Sequence, residues 1–191
     1  MRHLALIFLL ITLILAGCSA KQKSLADLKD VAAKGETGEI SYEDSNRVGI
    51  NKGNLAPDLT VITTDGKEIN LRALSKSRQP VILYFWASWC PYCKDDLENA
   101  EKIYPAYADK VKFVAIDMDL SENIGLITKY KKDNGHEVID FSAGREKILR
   151  DYSVTHTTTK FAVDRNGIIL WKGSGTADEK VWETLFTGLA Q

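Results

Sequence analysis

The chain has 191 residues, enough for one domain with an extension. It is 45% hydrophobic and 27% charged, the balance of a globular protein with a core. Its formal net charge of −1 supplies no basic field for nucleic acid, and no repeat or low-complexity tract stands out.

The first twenty residues, MRHLALIFLLITLILAGCSA, stand apart. Arg2 and His3 form a short polar start, and Leu4 to Leu15 is an apolar run too short for a comfortable spanning helix. Leu15-Ala16-Gly17-Cys18 then resembles the lipobox of bacterial lipoproteins. That resemblance implies cleavage before Cys18, a diacylglycerol on its sulfur and acylation of the new amino terminus. Two or more acyl chains anchor a protein stably where one is marginal. Residues 1–17 are therefore expected to be a signal peptide, taking His3 with them. The rest is expected outside the cytoplasm, held to a bacterial membrane through Cys18. Cys90 and Cys93 are then the only thiols of the folded part, in a compartment that permits disulfides. Residues 18–52 are polar, with a short helical pattern in SLADLKDVAAKG, and read as a tether.

The domain is expected over 53–191. Leu59 to Thr63 and Glu68 to Leu71 flank Thr64-Asp65-Gly66 and predict a hairpin. Val81 to Trp86 is an unbroken apolar and aromatic run, the mark of a strand buried on both faces. Pro91 to Tyr107 predicts a helix with proline in its first turn. A buried strand follows over Val111 to Asp117, then a helix over Ser121 to Asn134 opened by a Ser121 cap. A short strand over Val138 to Phe141 and a short helix over Gly144 to Tyr152 come next. Phe161 to Val163 and Ile168 to Trp171 flank the turn Asp164-Arg165-Asn166-Gly167, and Asp178 to Leu189 is a closing helix. Strands alternating with helices imply an α/β fold, a central mixed sheet with helices on both faces and an N-terminal hairpin.

Cys90-Pro91-Tyr92-Cys93 follows a strand and opens a helix. At the helix cap the Cys90 sulfur faces free backbone N–H groups and the positive end of the dipole, which favour thiolate over thiol. Cys93, one turn inside, is expected to be more buried. Cys90 is then the attacking nucleophile, and Cys93 the thiol that resolves the mixed disulfide. A structural disulfide and a zinc site are the competing readings. Zinc would want a second ligand pair, and no other CxxC and no HxxxH occurs. Trp86 continues the strand and reads as core, and Trp89 as packing and site shape.

These residues resemble the thioredoxin superfamily, most closely its membrane-tethered TlpA/ResA-like branch. The resemblance runs from Gly53 to Gln191, through APDLTVITTDGKEINLRAL, VILYFWASWCPYC and FAVDRNGIILWKGSG. It implies a thioredoxin-like fold and a thiol–disulfide oxidoreductase that redox-cycles a Cys90–Cys93 disulfide without an organic cofactor. It also implies exported disulfide-bearing client proteins and a membrane electron donor. Nothing suggests more than a monomer. Asp96 sits one turn past Cys93 on the same helix face. An acid at this place in the branch resembles a proton manager for the buried cysteine; the other reading is a solvated member of the run Asp95-Asp96-Glu98. Thioredoxin itself has a buried Asp in the preceding strand, where Tyr84 stands here, so no base comes from that strand.

The stretch VTHTTTKF departs from the pattern. The superfamily places a cis-proline opposite the dithiol, and Thr158 occupies that position. A cis bond before a non-proline residue costs about 3–4 kcal/mol, so Thr157–Thr158 is expected to be trans, with a reshaped substrate loop. His156, two residues earlier, resembles the histidine of Sco copper proteins. That resemblance implies copper held by Cys90, Cys93 and His156 in an assembly protein, although Sco cysteines lie one residue further apart. The other readings make His156 a tuner of the thiolate or an ordinary loop histidine. His136 is expected to be solvent-exposed.

Overall fold

The computed structural model describes residues 47–191. The expected signal peptide, Cys18 and most of the expected tether lie outside the described residues. Residues 47–49 are tied to the domain: Gly49 N–H donates to the Leu55 carbonyl at 3.0 Å, and Leu55 N–H to that of Arg47 at 2.9 Å.

Strands β1 (Thr60–Ile62) and β2 (Glu68–Asn70) form an antiparallel hairpin, followed by the short helix α1 (Leu71–Lys76). Strand β3 (Val81–Trp86) leads through α2 (Pro91–Ile103) and a 3₁₀ turn (Tyr104–Ala106) to β4 (Lys112–Asp117). Helix α3 (Ile124–Asp133), β5 (Asp140–Ala143), α4 (Glu146–Asp151), β6 (Thr159–Val163), β7 (Ile169–Gly173) and α5 (Glu179–Leu189) complete the order. The main sheet is β5-β4-β3-β6-β7. Strand β3 pairs parallel with β4 and antiparallel with β6; β4 and β5 are parallel, β6 and β7 antiparallel.

The steps β3–β4 and β4–β5 run the same way along the sheet. A constant crossover hand therefore puts α2 and α3 on one face. Alternation along β3 divides the core accordingly. Ile82, Tyr84 and Trp86 pack with Leu97, Ile127, Trp182 and Phe186 of the helices. Val81, Leu83 and Phe85 pack with Val61, Ile69, Ile148 and Tyr152, under the hairpin and α4. The expected mixed sheet with helices on both faces and an N-terminal hairpin is therefore present.

Several boundaries moved for identifiable reasons. Helix α2 stops at Ile103 rather than Tyr107, because Pro105 has no N–H and its ring crowds the preceding turn. Helix α3 is capped by Asn123, whose side chain accepts from Leu126 N–H at 3.0 Å, and not by Ser121. Ser121 instead donates its N–H and hydroxyl to Asp119. Strand β5 starts at Asp140, because the Glu137 and Val138 N–H groups are held by the Glu101 carboxylate of α2. His136 is buried rather than exposed, stacked on Phe141 and Tyr130, with Nδ1 3.4 Å from Glu101. Strand β6 begins two residues before Phe161, which brings Lys160 into the centre of the sheet, opposite Tyr84.

Candidate active site

Strand β3 ends at Trp86, and four residues later Cys90 caps α2 with Pro91 in the first turn. Proline suits that position because its missing N–H would have no helical partner there. The Cys90 sulfur accepts the Cys93 N–H at 3.1 Å, so it meets the free donors of the helix start. The two cysteines are disulfide-bonded with Cα atoms 5.2 Å apart. Cys93 is fully buried and Cys90 nearly so, while Trp89 and Tyr92 beside them are each 63% exposed. Trp89 is held by its indole N–H, which donates to Asp119 at 2.7 Å.

Asp96 is completely buried and does not belong to a solvated acidic face. Its Oδ2 accepts from Lys160 Nζ at 2.7 Å and from the Tyr84 hydroxyl at 3.1 Å, and its Oδ1 from Ala177 N–H at 2.5 Å. Burial pushes its carboxyl above the usual carboxylate range, and the Lys160 ammonium opposes that. Burial likewise pulls Lys160 below the ordinary lysine value, against Asp96. Tyr84 adds no base, but its hydroxyl donates to one, and burial with Asp96 beside it raises it well above the usual phenol range. Lys160 was invisible as a site residue in the sequence. The strand expected from Phe161 leaves it in the preceding loop. Tyr84, Trp182, Asp96 and the Gly175 carbonyl together surround its ammonium.

The Thr157–Thr158 bond is trans, as are all described peptide bonds. Thr158 has φ +62°, an uncommon conformation for a β-branched residue. Its Oγ1 accepts Gly175 N–H at 3.0 Å. Strand β6 runs antiparallel to β3 with Thr159 opposite Phe85, so Thr158 stands at the end of β3 that leads to Cys90.

His156 is exposed, its Nδ1 2.8 Å from Thr155 Oγ1. It lines a cavity of about 310 Å³ with Lys52, Tyr152, Thr159, Phe161 and Lys172. Among the described residues no three His, Cys, Asp or Glu side chains are gathered as a metal-ion group. Lys52 and Lys172 share that cavity, a setting that does not favour a cation.

A second buried acid lies at the same end of the sheet. Asp117, opposite Trp86, is raised to about 8 by burial, with Glu122 and Asp119 pushing the same way against the Asp119 N–H. Glu122 in turn accepts Ser88 N–H at 3.2 Å and its hydroxyl at 2.6 Å, fixing the loop before Cys90.

A model of the AhpC/TSA family matches residues 52–172. The chain belongs to the AhpC/TSA family. Within it, the thiol-disulfide oxidoreductase ResA of Bacillus cereus is 30% identical over 132 residues, covering 69% of this chain and 73% of ResA. The thioredoxin-like protein YneN of Bacillus subtilis is 29% identical over 164 residues, covering 85% and 95%. A solved putative thiol:disulfide interchange protein DsbE from Chlorobium tepidum matches with TM-score 0.63 and 26% identity, covering 74% of this chain and 99% of that one. The fold is thus thioredoxin-like, and this AhpC/TSA member is an enzyme of the thiol–disulfide oxidoreductase class.

Two outcomes follow from this geometry. Folded Asp117 keeps a proton that the unfolded chain releases between its ordinary value of 3.8 and about 8. Its contribution to stability is therefore largest below that window and is lost as pH rises through it. Urea midpoints from pH 5 to 8 should fall less steeply in Asp117→Asn than in the parent; equal slopes would clear Asp117 of the effect. Reduced protein titrated with Cu(I) in competition with a chelator should give the same affinity with and without His156→Ala. A marked loss in the variant would restore His156 to a metal site.

Proposed function

We propose that the protein reduces disulfides of exported client proteins, at a membrane to which Cys18 anchors it, and is recharged by a membrane electron donor. The observation that carries the chemistry is the Cys90 sulfur at the start of α2, receiving the Cys93 N–H, with Cys93 buried behind it. Cys90 thiolate attacks one sulfur of the client disulfide. A Cys90–client bond forms, the client bond breaks, and the departing client thiolate takes a proton from water. Cys93 then passes its proton to the Asp96 carboxylate and attacks the Cys90 sulfur. The second client thiolate leaves and is protonated in turn. Two electrons have moved to the client, and the Cys90–Cys93 disulfide remains for the donor to reduce. No organic cofactor takes part, since the dithiol carries both electrons.

Trp89 and Tyr92, exposed on either side of Cys90, present apolar surface to an unfolded client segment. The trans Thr157–Thr158 loop offers the backbone against which that segment would lie. The anchor rests on the sequence LAGC at 15–18. Among the described residues no helix is long and apolar enough to cross a membrane.

Cys93→Ser should accumulate a mixed disulfide through Cys90 with a disulfide-bearing peptide, visible by mass spectrometry and released by dithiothreitol. Failure to trap any such adduct, with Cys90 shown to be reactive, would sink the reductase reading. Cys18→Ser should move the protein from the membrane to the soluble fraction. Unchanged partitioning would remove the lipid anchor.

A further inference from the structure

The dithiol steps leave one group at the site without a task. Lys160 is 1% exposed, in a central strand. Its ammonium has three protons and three acceptors: Asp96 Oδ2 at 2.7 Å, the Thr158 carbonyl at 3.0 Å and the Gly175 carbonyl at 2.7 Å. It also lies 4.9 Å from the Tyr84 ring centre and 5.5 Å from that of Trp182. Every donor is used, and the acceptors belong to three separate segments: the dithiol helix, the Thr158 loop and the turn after β7.

We propose that Lys160 is the positioning residue of the redox site, its ammonium holding Asp96 in place as the acceptor of the Cys93 proton while locking the Thr158 loop to the dithiol helix. The first part rests on the reductase reading above; the tie itself does not. When Asp96 is a carboxylate, the two charges cancel within the core. When Asp96 has taken the proton, Lys160 keeps only the two carbonyls as charge-stabilising acceptors. The proton step at Cys93 is thereby felt at Thr158, whose left-handed backbone is secured by the same ammonium and by the Gly175 N–H on its hydroxyl. Thr158 stands where the superfamily places its proline, so a buried cation here does by charge and hydrogen bonds what a rigid ring does there.

The titratable and charged groups facing Lys160 among the described residues are few. Helix α2 presents Asp96, with Cys93 one turn before it on that helix; β3 presents the Tyr84 hydroxyl, which donates to Asp96; α5 presents the Trp182 ring. A pH response of the resolving step therefore reports on this group.

The test uses the full chain and Lys160→Met, with Lys160→Arg as the conservative variant. A mixed disulfide between Cys90 and a peptide thiol is preformed, and the rate of its resolution by Cys93 is followed from pH 5 to 9. Lys160→Met should slow resolution at pH 7 by tenfold or more and move the pH midpoint upward by at least one unit. Alkylation of Cys90 in the reduced enzyme should change less than twofold, and Lys160→Arg should restore the midpoint. A Lys160→Met profile with the parent's midpoint would overturn the proposal. If the variant does not fold, the unmodified chain decides it. With ¹⁵N-labelled lysine, the protected Lys160 ammonium signal should shift when the dithiol is reduced. A signal indifferent to the redox state would refute the coupling. Trapping of a client by Cys93→Ser with an unaltered Lys160→Met profile would defeat this inference and leave the reductase reading standing.

Discussion

A carboxylate and an ammonium that are both out of reach of water cannot be charged independently. Desolvating either ion alone costs several kcal/mol, so Asp96 and Lys160 stand or fall as a pair. Removing one partner of such a pair typically destabilises a protein by about 3–5 kcal/mol. That constraint dictates much around it. Lys160 must enter from β6 opposite Tyr84, Asp96 from α2 one turn beyond Cys93, and the Gly175–Ala177 segment must fold over both to deliver a carbonyl and an N–H. Trp182 of α5 closes the top. The pair thus joins the redox helix, the central strands and the loop after β7 into one unit.

The dithiol depends on that unit for its asymmetry. Both sulfurs belong to one short turn, yet they meet different surroundings. Cys90 sits among the unsatisfied N–H groups of a helix start, between two exposed aromatic side chains. Cys93 points into the core on the face that also carries Asp96. A thiolate is favoured at the first position by local backbone donors, whereas the second needs a nearby acceptor for its proton. The helix start follows directly from the proline and the strand before it. The acceptor needs the whole sheet.

This difference explains what could be read from the sequence. Val81 to Trp86, with no charged residue, reads as a central strand, and Cys-Pro-Tyr-Cys after it as the start of a helix, so fold and dithiol were legible together. Asp96 was half legible: its spacing from Cys93 put it on the right face, but whether that face met water depended on α5 and the 175–177 segment. Lys160 was not legible at all. A strand assignment that starts at Phe161 leaves it in a loop, and nothing local distinguishes it from the other lysines of the chain. His136 failed for the same reason in reverse. The sequence Asn134-Gly135-His136 is a sound turn, but the ring folds back on Phe141 and Tyr130 and leaves solvent.

Thr158 is held by the same network. Holding a β-branched residue in the left-handed region costs about 1–3 kcal/mol, and such strain persists only where its surroundings over-determine it. Here they do so twice: the Thr158 hydroxyl accepts a hydrogen bond from Gly175 N–H, and the Thr158 carbonyl accepts one from the Lys160 ammonium. Glycine would relieve the strain but would lose the hydroxyl that binds Gly175. Valine would keep the shape and lose the acceptor. Threonine is the residue that supplies both the stiffness of a branched side chain and an oxygen in the right place. The loop before β6 is therefore held by polar contacts that lead, through one ammonium, to the acid one turn beyond the buried cysteine. Where a proline ring would be indifferent to charge, this loop is bonded to an ammonium whose counter-ion is the buried Asp96.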